Sequence, residues 1–232
     1  VKKYLLISAA FLIFLMAAPA AHATVMSPGG GAEAIGGLAA LPSGSIISNG
    51  GNVSIATISG LDAQGHARYT ETIYFAVYKE AATGYLDFVY QVANSKKSHD
   101  SINRVTNVDF SSASSYLDAT YLTKNAPAGF LGGKIAPSTA DLSSDSSVVG
   151  FNFPSGKGTA IAPGTTTDVF VIRTHSKTFR AGSTSTIDGA VATVGTFAPG
   201  PEPSTIVLFA GCFLGLAGWA GWRRWKAGSA SV

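Results

Sequence analysis

The chain of 232 residues has a single cysteine, Cys212, and that residue lies inside an apolar run near the C-terminus. An intrachain disulfide is therefore impossible, and neither a cysteine-based zinc site nor a catalytic cysteine fits the rest of the chain. Charge is also scarce, at 12% Asp, Glu, Lys and Arg. The formal net charge of +3 is unevenly placed, because Lys2, Lys3, Arg223, Arg224 and Lys226 supply five of the 16 basic residues. Residues 24–205 keep 16 − 5 = 11 basic against 13 acidic residues, a formal −2. With Lys96-Lys97 its one adjacent basic pair, that body lacks the clustered cations that binding phosphates requires, so nucleic acid is not an expected partner. No G-x-S-x-G, H-E-x-x-H, P-loop or dinucleotide-binding glycine pattern occurs, and no D-x-D-x-D-G calcium loop. No cofactor or metal is expected.

What is present begins with two apolar ends. Lys2 and Lys3 precede an apolar run from Tyr4 to Ala18, and Ala21-His22-Ala23 supplies a small-x-small cleavage pattern. Those are the parts of a secretory signal peptide over residues 1–23, with cleavage directed by Ala21 and Ala23. At the other end, Ile206 to Trp222 holds no charge over 17 positions. As a helix it would measure about 26 Å, near the short limit for crossing a bilayer. Arg223, Arg224 and Lys226 follow at once and would hold that end in the cytoplasm as a membrane stop. Gly211 and Gly215 have the G-x-x-x-G spacing that pairs helices in some membranes.

Just before this helix stand Pro201, Glu202 and Pro203. Flanking prolines remove backbone donors and disfavour helix, leaving an extended segment that a protease can grip. A Pro-Glu-Pro triplet, one short apolar helix and an arginine-rich end together resemble the PEP-CTERM sorting signal of Gram-negative bacteria. The resemblance implies that residues 199–232 park an exported protein in the inner membrane until an exosortase, a membrane-embedded cysteine protease or transpeptidase, processes it near the triplet. It places recognition on Pro201, Glu202 and Pro203, and the transient anchor on residues 206–222 with the basic end 223–226. It also implies release to the cell surface or extracellular matrix, with a link to exopolysaccharide and biofilm. An ordinary anchor that is never processed is the simpler alternative.

Between these ends the pattern has the period of strands. Residues 24–51 are rich in Gly, Ala, Ser and Pro and read as a mobile lead-in with one early strand near residues 45–48. Val53 to Ser59 and Ala67 to Tyr78 alternate, the second placing Tyr69, Glu71, Ile73, Phe75 and Val77 on one face. Ala81-Ala82-Thr83-Gly84 then reads as a hairpin turn into Tyr85 to Ala93, with Leu86, Phe88, Tyr90 and Val92 on one face. Further strands are expected at residues 101–110, 148–153, 166–174, 184–187 and 190–197, while 116–147 is punctuated by Gly and Pro and resists assignment. The continuous apolar run Val169 to Ile172 reads as a strand buried on both faces. The expected fold is all-β, an antiparallel sandwich over residues 52–198, with a closed barrel as runner-up. Val148 to Phe153, Pro163-Gly164 with Val171 to Thr174, and Ile187-Asp188-Gly189 are also similar to stretches of some PEP-CTERM exported domains.

Candidate chemistry is thin. His99-Asp100 with Ser98 or Ser101, or His175, would be the starting point for a surface hydrolase, although adjacent residues in a strand or turn usually point apart. Asp87, Asp109, Asp118, Asp168 and Asp188 could supply a glycosidase pair or calcium ligands, and Asp141 with Asp145 an oxygen-rich loop. Asp87 and Asp168 interrupt hydrophobic strands and need a partner such as Arg104 or Arg173 if buried. Tyr69, Tyr74, Tyr78, Tyr85, Tyr90, Tyr116 and Tyr121 could form a surface on which sugar rings stack, giving a carbohydrate-binding module as the alternative function. The leading expectation is a non-enzymatic, exported surface protein.

Overall fold

The computed structural model describes residues 24–113, 115–154 and 160–201. The strands are β1 (Thr24–Val25), β2 (Glu33–Ala34), β3 (Gly37–Leu38), β4 (Gly44–Ile46), β5 (Ser54–Leu61), β6 (Ala67–Glu80) and β7 (Leu86–Asn94). They continue with β8 (Arg104–Val108), β9 (Leu117–Leu122), β10 (Thr139–Leu142), β11 (Val148–Asn152), β12 (Val169–Thr174), β13 (Phe179–Ile187) and β14 (Val191–Pro199). All belong to one hydrogen-bonded sheet in the order β1-β9-β12-β7-β6-β5-β14-β13-β8-β11-β10-β2, with β3 beside β9 and β4 beside β6. Strand pairs are antiparallel except β3 with β9. The fold is all-β and antiparallel, as the alternating pattern predicts.

The β6–β7 hairpin is the spine of the molecule. Gly84 takes φ +71°, a left-handed conformation open to glycine at little cost, and the Glu80 N–H donates to the Tyr85 carbonyl at 3.0 Å to close the turn. Tyr69, Glu71, Ile73, Phe75 and Val77 are all buried on the predicted face of β6. Leu86, Phe88, Tyr90 and Val92 are buried beside them.

From this spine the sheet folds back on itself. β14 meets β5 through the pair Val191 and Leu61, then turns beneath the hairpin, where the Phe197 ring packs 5.5 Å from Phe75. The Tyr90 hydroxyl donates to the Phe197 carbonyl at 2.8 Å. Phe170 of β12 touches two rings across the interior, Phe151 of β11 at 4.7 Å and Phe153 at 6.1 Å, and its ladder partner Tyr90 at 5.8 Å. The main core therefore lies between the two ends of one sheet, closed by apolar burial at about 25 cal/mol per Å².

A second, smaller cluster sits on the outer face of β7, β9 and β12. Val89, Leu122, Val169 and Val171 pack there under Leu38, Leu41, Tyr78 and Phe130. This explains the uninterrupted run in β12, whose Phe170 and Ile172 enter the main core while Val169 and Val171 enter the outer one. Residues 24–51 differ from the expected mobile lead-in, because they contribute β1 to β4 and the two leucines that cover this cluster. The 116–147 interval likewise contains β9 and β10, strands of six and four residues. Lengths this short leave too few residues for a period to stand out among Gly and Pro.

No described helix is long and apolar enough to cross a membrane. The expected signal peptide and the Ile206 to Trp222 segment lie outside the described residues.

Candidate functional site

The outer face of β9, β12, β7 and β6 carries the densest chemistry in the described residues. Arg173 lies opposite Asp118 in the β12–β9 ladder and opposite Asp87 in the β12–β7 ladder, and Tyr78 lies opposite Asp87 in the next. Four strands thus place Asp118, Arg173, Asp87 and Tyr78 in one transverse row, since directly paired residues point to the same side of a sheet. One step outward a second row runs through Tyr116, His175 and Tyr85. The His175 imidazole is stacked 4.0 Å from Tyr116 and 4.4 Å from Tyr85, with Lys177 Nζ 5.7 Å from the Tyr85 ring centre.

Arg173 binds the rows together. Its Nη2 donates to Glu80 Oε1 at 2.9 Å, while Nε stands 3.7 Å from Asp87 Oδ1 and Nη1 3.8 Å from Asp118 Oδ2. Asp87 is 0% exposed and Asp118 2%. One cation therefore faces three carboxylates, and neither oxygen of Asp87 has a hydrogen-bond donor among the described residues. Burial pushes the Asp87 carboxyl up to about 7, opposed by Arg173 and reinforced by Glu80 and Asp118. Asp118 is also raised by burial, with Arg173 and the Tyr116 hydroxyl at 3.2 Å holding it down.

A second buried carboxylate lies on the inner face. Glu71 accepts a hydrogen bond from the Thr186 hydroxyl, and burial pushes its carboxyl up to about 7. Beside it the Tyr69 hydroxyl donates to the carbonyls of Thr186 and Ala190, at 2.9 and 3.1 Å. These groups tie β6 to the β13–β14 hairpin from within the core.

The remaining candidates are dispersed. Asp100 pairs with Arg68 Nε at 2.7 Å, not with the exposed His99, and the Ser98 hydroxyl donates to the Thr70 carbonyl. Among the described residues neither His99 nor His175 is hydrogen-bonded to a carboxylate. Asp141 forms a two-pronged pair with Arg104, at 2.6 and 2.7 Å, and also accepts from Asn152. Asp145 instead caps its own turn through Ser143 and Ser147, whose donors hold it down at about 2, so the two aspartates do not converge. Asp188 accepts from Asn103, and Asp109 faces Arg180 at 3.7 Å. Asp168 lies beside a shallow recess between Leu122 and Gly133, its carboxyl raised by burial. Among the described residues no three His, Cys, Asp or Glu side chains are grouped to hold a metal ion.

The tyrosines are spent in several ways. Tyr69 and Tyr90 are in the main core, and Tyr85 and Tyr116 turn ring faces toward His175. Tyr78 forms a wall of a cleft of about 370 Å³ lined also by Leu41, Ser45, Ile46, Asn125 and Pro127. Its hydroxyl donates to the Pro42 carbonyl at 2.9 Å. Pro201 is exposed, and its carbonyl accepts from the Thr178 hydroxyl at 3.1 Å. Glu202, Pro203, Arg223, Arg224 and Lys226, like Ala21 and Ala23, lie outside the described residues.

The chain matches no family model, no curated protein and no solved structure. Of the acidic cluster, Asp87 and its partner Arg173 were legible as an interruption of apolar strands that must be paired. Glu80 was not, because it stands at the end of its strand beside a turn, where a solvated carboxylate is expected.

Proposed function

We propose that this chain is an exported, non-enzymatic protein of the cell surface or extracellular matrix, sorted through a C-terminal signal of the PEP-CTERM kind. The observation that carries the reading is the position of the Pro201-Glu202-Pro203 triplet relative to the folded body. β14 ends at Pro199, and the Gly200 N–H donates to the Thr178 carbonyl at 2.9 Å, which closes the domain one residue before the triplet. A protease acting near Glu202 would then release a body whose described strands all pair within residues 24–201. An exosortase-type enzyme is the proposed partner, the inner membrane a transient one, and a two-layer sandwich the proposed architecture, favoured by a strand order that starts and ends on the edge strands β1 and β2. Mass spectrometry of surface-released protein tests the reading: the mature C-terminus should fall near Glu202, and a released chain still carrying Trp222 to Lys226 overturns it.

A carbohydrate-binding role is the second reading, and the cleft beside Tyr78 favours it over a tyrosine platform. Ring faces turned on His175 are not open to a sugar, whereas the cleft offers one aromatic wall with Ser45 and Asn125 for hydroxyl groups. Retention of the protein on the host's own exopolysaccharide, lost on Tyr78→Ala, supports it. Unchanged retention in that variant sinks it.

A further inference from the structure

We infer that the free edge of β5 pairs with the β5 edge of a second copy of this chain. The strand Ser54-Ile55-Ala56-Thr57-Ile58-Ser59-Gly60-Leu61 is eight residues long and contains neither a charge nor a proline. Exposed strand edges are ordinarily shortened, charged or blocked, because their unpaired N–H and C=O groups recruit other strands. Elsewhere the molecule follows that practice, with the two-residue strands β1 and β2 at the two ends of the sheet.

The neighbour that could cover β5 does not stay beside it. β14 pairs with β5 at Val191 and Leu61, next to a register shift at Gly60. By Phe197 it lies beneath the sheet, where its ring packs on Phe75, the residue paired with Ser54, and its carbonyl accepts from Tyr90. The edge from Ser54 to Gly60 is left without a described strand partner on that side. Three large apolar side chains surround it: Ile55 is 61% exposed, Leu61 53% and Val191 60%.

The sequence of the edge says what fits there. About Ile58 the strand is a chemical palindrome: Thr57 and Ser59 are hydroxyl residues, Ala56 and Gly60 are small, and Ile55 and Leu61 are branched and apolar. Two copies aligned antiparallel about a two-fold axis at Ile58 would match like with like at every position. This is the self-complementarity that an isologous contact requires. The ladder would run from Ala56 to Gly60 in each strand and end where Val191 already occupies the edge. There Ile55 of one copy would close over Leu61 and Val191 of the other.

The register makes the test specific, because directly opposed positions come within disulfide reach and diagonal ones, about 7 to 8 Å apart, do not. In the full chain carrying Cys212→Ser, a mixture of Thr57→Cys and Ser59→Cys chains should cross-link on mild oxidation, while each alone should cross-link far less. Thr57→Lys, which sets like charges near the axis, should weaken self-association measured by sedimentation by about tenfold or more and leave the unfolding midpoint nearly unchanged at dilutions where both chains are monomeric. A chain that stays monomeric as concentration is raised overturns the inference. So does association that Thr57→Lys leaves intact, or cross-linking with no preference for the mixed pair.

Discussion

Arg173 stands directly across the ladder from Asp87, with its Nε 3.7 Å from a carboxylate oxygen that has no hydrogen-bond donor among the described residues. The two are joined by charge at a distance too long for a hydrogen bond. Such a pair is more a requirement than a source of stability. Burying the Asp87 carboxylate costs several kcal/mol, and its charge is tolerable there only while the half-buried Arg173 remains.

Replacing Arg173 with Met should therefore destabilise the domain by about 3 to 5 kcal/mol at pH 8, where Asp87 and Asp118 would be left without their cation. At pH 5 the loss should be smaller, because carboxyls already raised by burial can be neutralised by protons. Thermal unfolding at the two pH values measures both. An equal loss at each would show that packing of the arginine stem, not its charge, is what matters.

The same raised carboxyls set the pH dependence of the parent protein. Asp87 and Glu71 titrate near 7 when folded, against 3.8 and 4.5 otherwise. The folded state therefore binds more protons than the unfolded state between these values, and stability falls as pH rises through that window. The contribution is complete below about pH 4 and lost above about pH 7, on the order of a few kcal/mol for the two groups together. Denaturant midpoints should be higher at pH 5 than at pH 8, and Glu71→Gln with Asp87→Asn should flatten the curve. A midpoint that rises from pH 5 to pH 8 contradicts the assignment.

Phe170→Ala should be among the most damaging single core changes, at about 3 to 5 kcal/mol, since its ring is the meeting point of Phe151, Phe153 and Tyr90. Val171→Ala, one residue along and facing the smaller outer cluster, should cost less. Chemical denaturation of both variants measures the two costs, and a Val171→Ala loss as large as that of Phe170→Ala, from far fewer atoms removed, would contradict the ranking.

Gly133→Ala tests the loop that carries Phe130 over that cluster. A β-carbon there would stand 2.0 Å from the Thr167 carbonyl oxygen, a backbone atom that cannot rotate away. A loss of about 1 to 3 kcal/mol is expected from the forced shift. No change in unfolding midpoint would place the loop farther from β12 than described.

The sequence by itself determined the strands whose faces are unambiguous. β6 and β7 carry large side chains at every second position, Tyr69 to Val77 and Leu86 to Val92, so burying that face decides their register and the short turn decides their pairing. The Val169 to Ile172 run announced a strand covered twice, though not by what. The covering residues, Leu38, Leu41 and Phe130, come from stretches too short and too rich in glycine and proline to show a period. The meeting of Asp118, Arg173 and Asp87 was likewise hidden, because it depends on which distant strands become neighbours. Only the tertiary structure decided that, and with it the second core, the buried charge row and the open edge of β5. Local side-chain alternation can state that a face must be buried, but the partner is chosen by how the whole sheet folds over its interior.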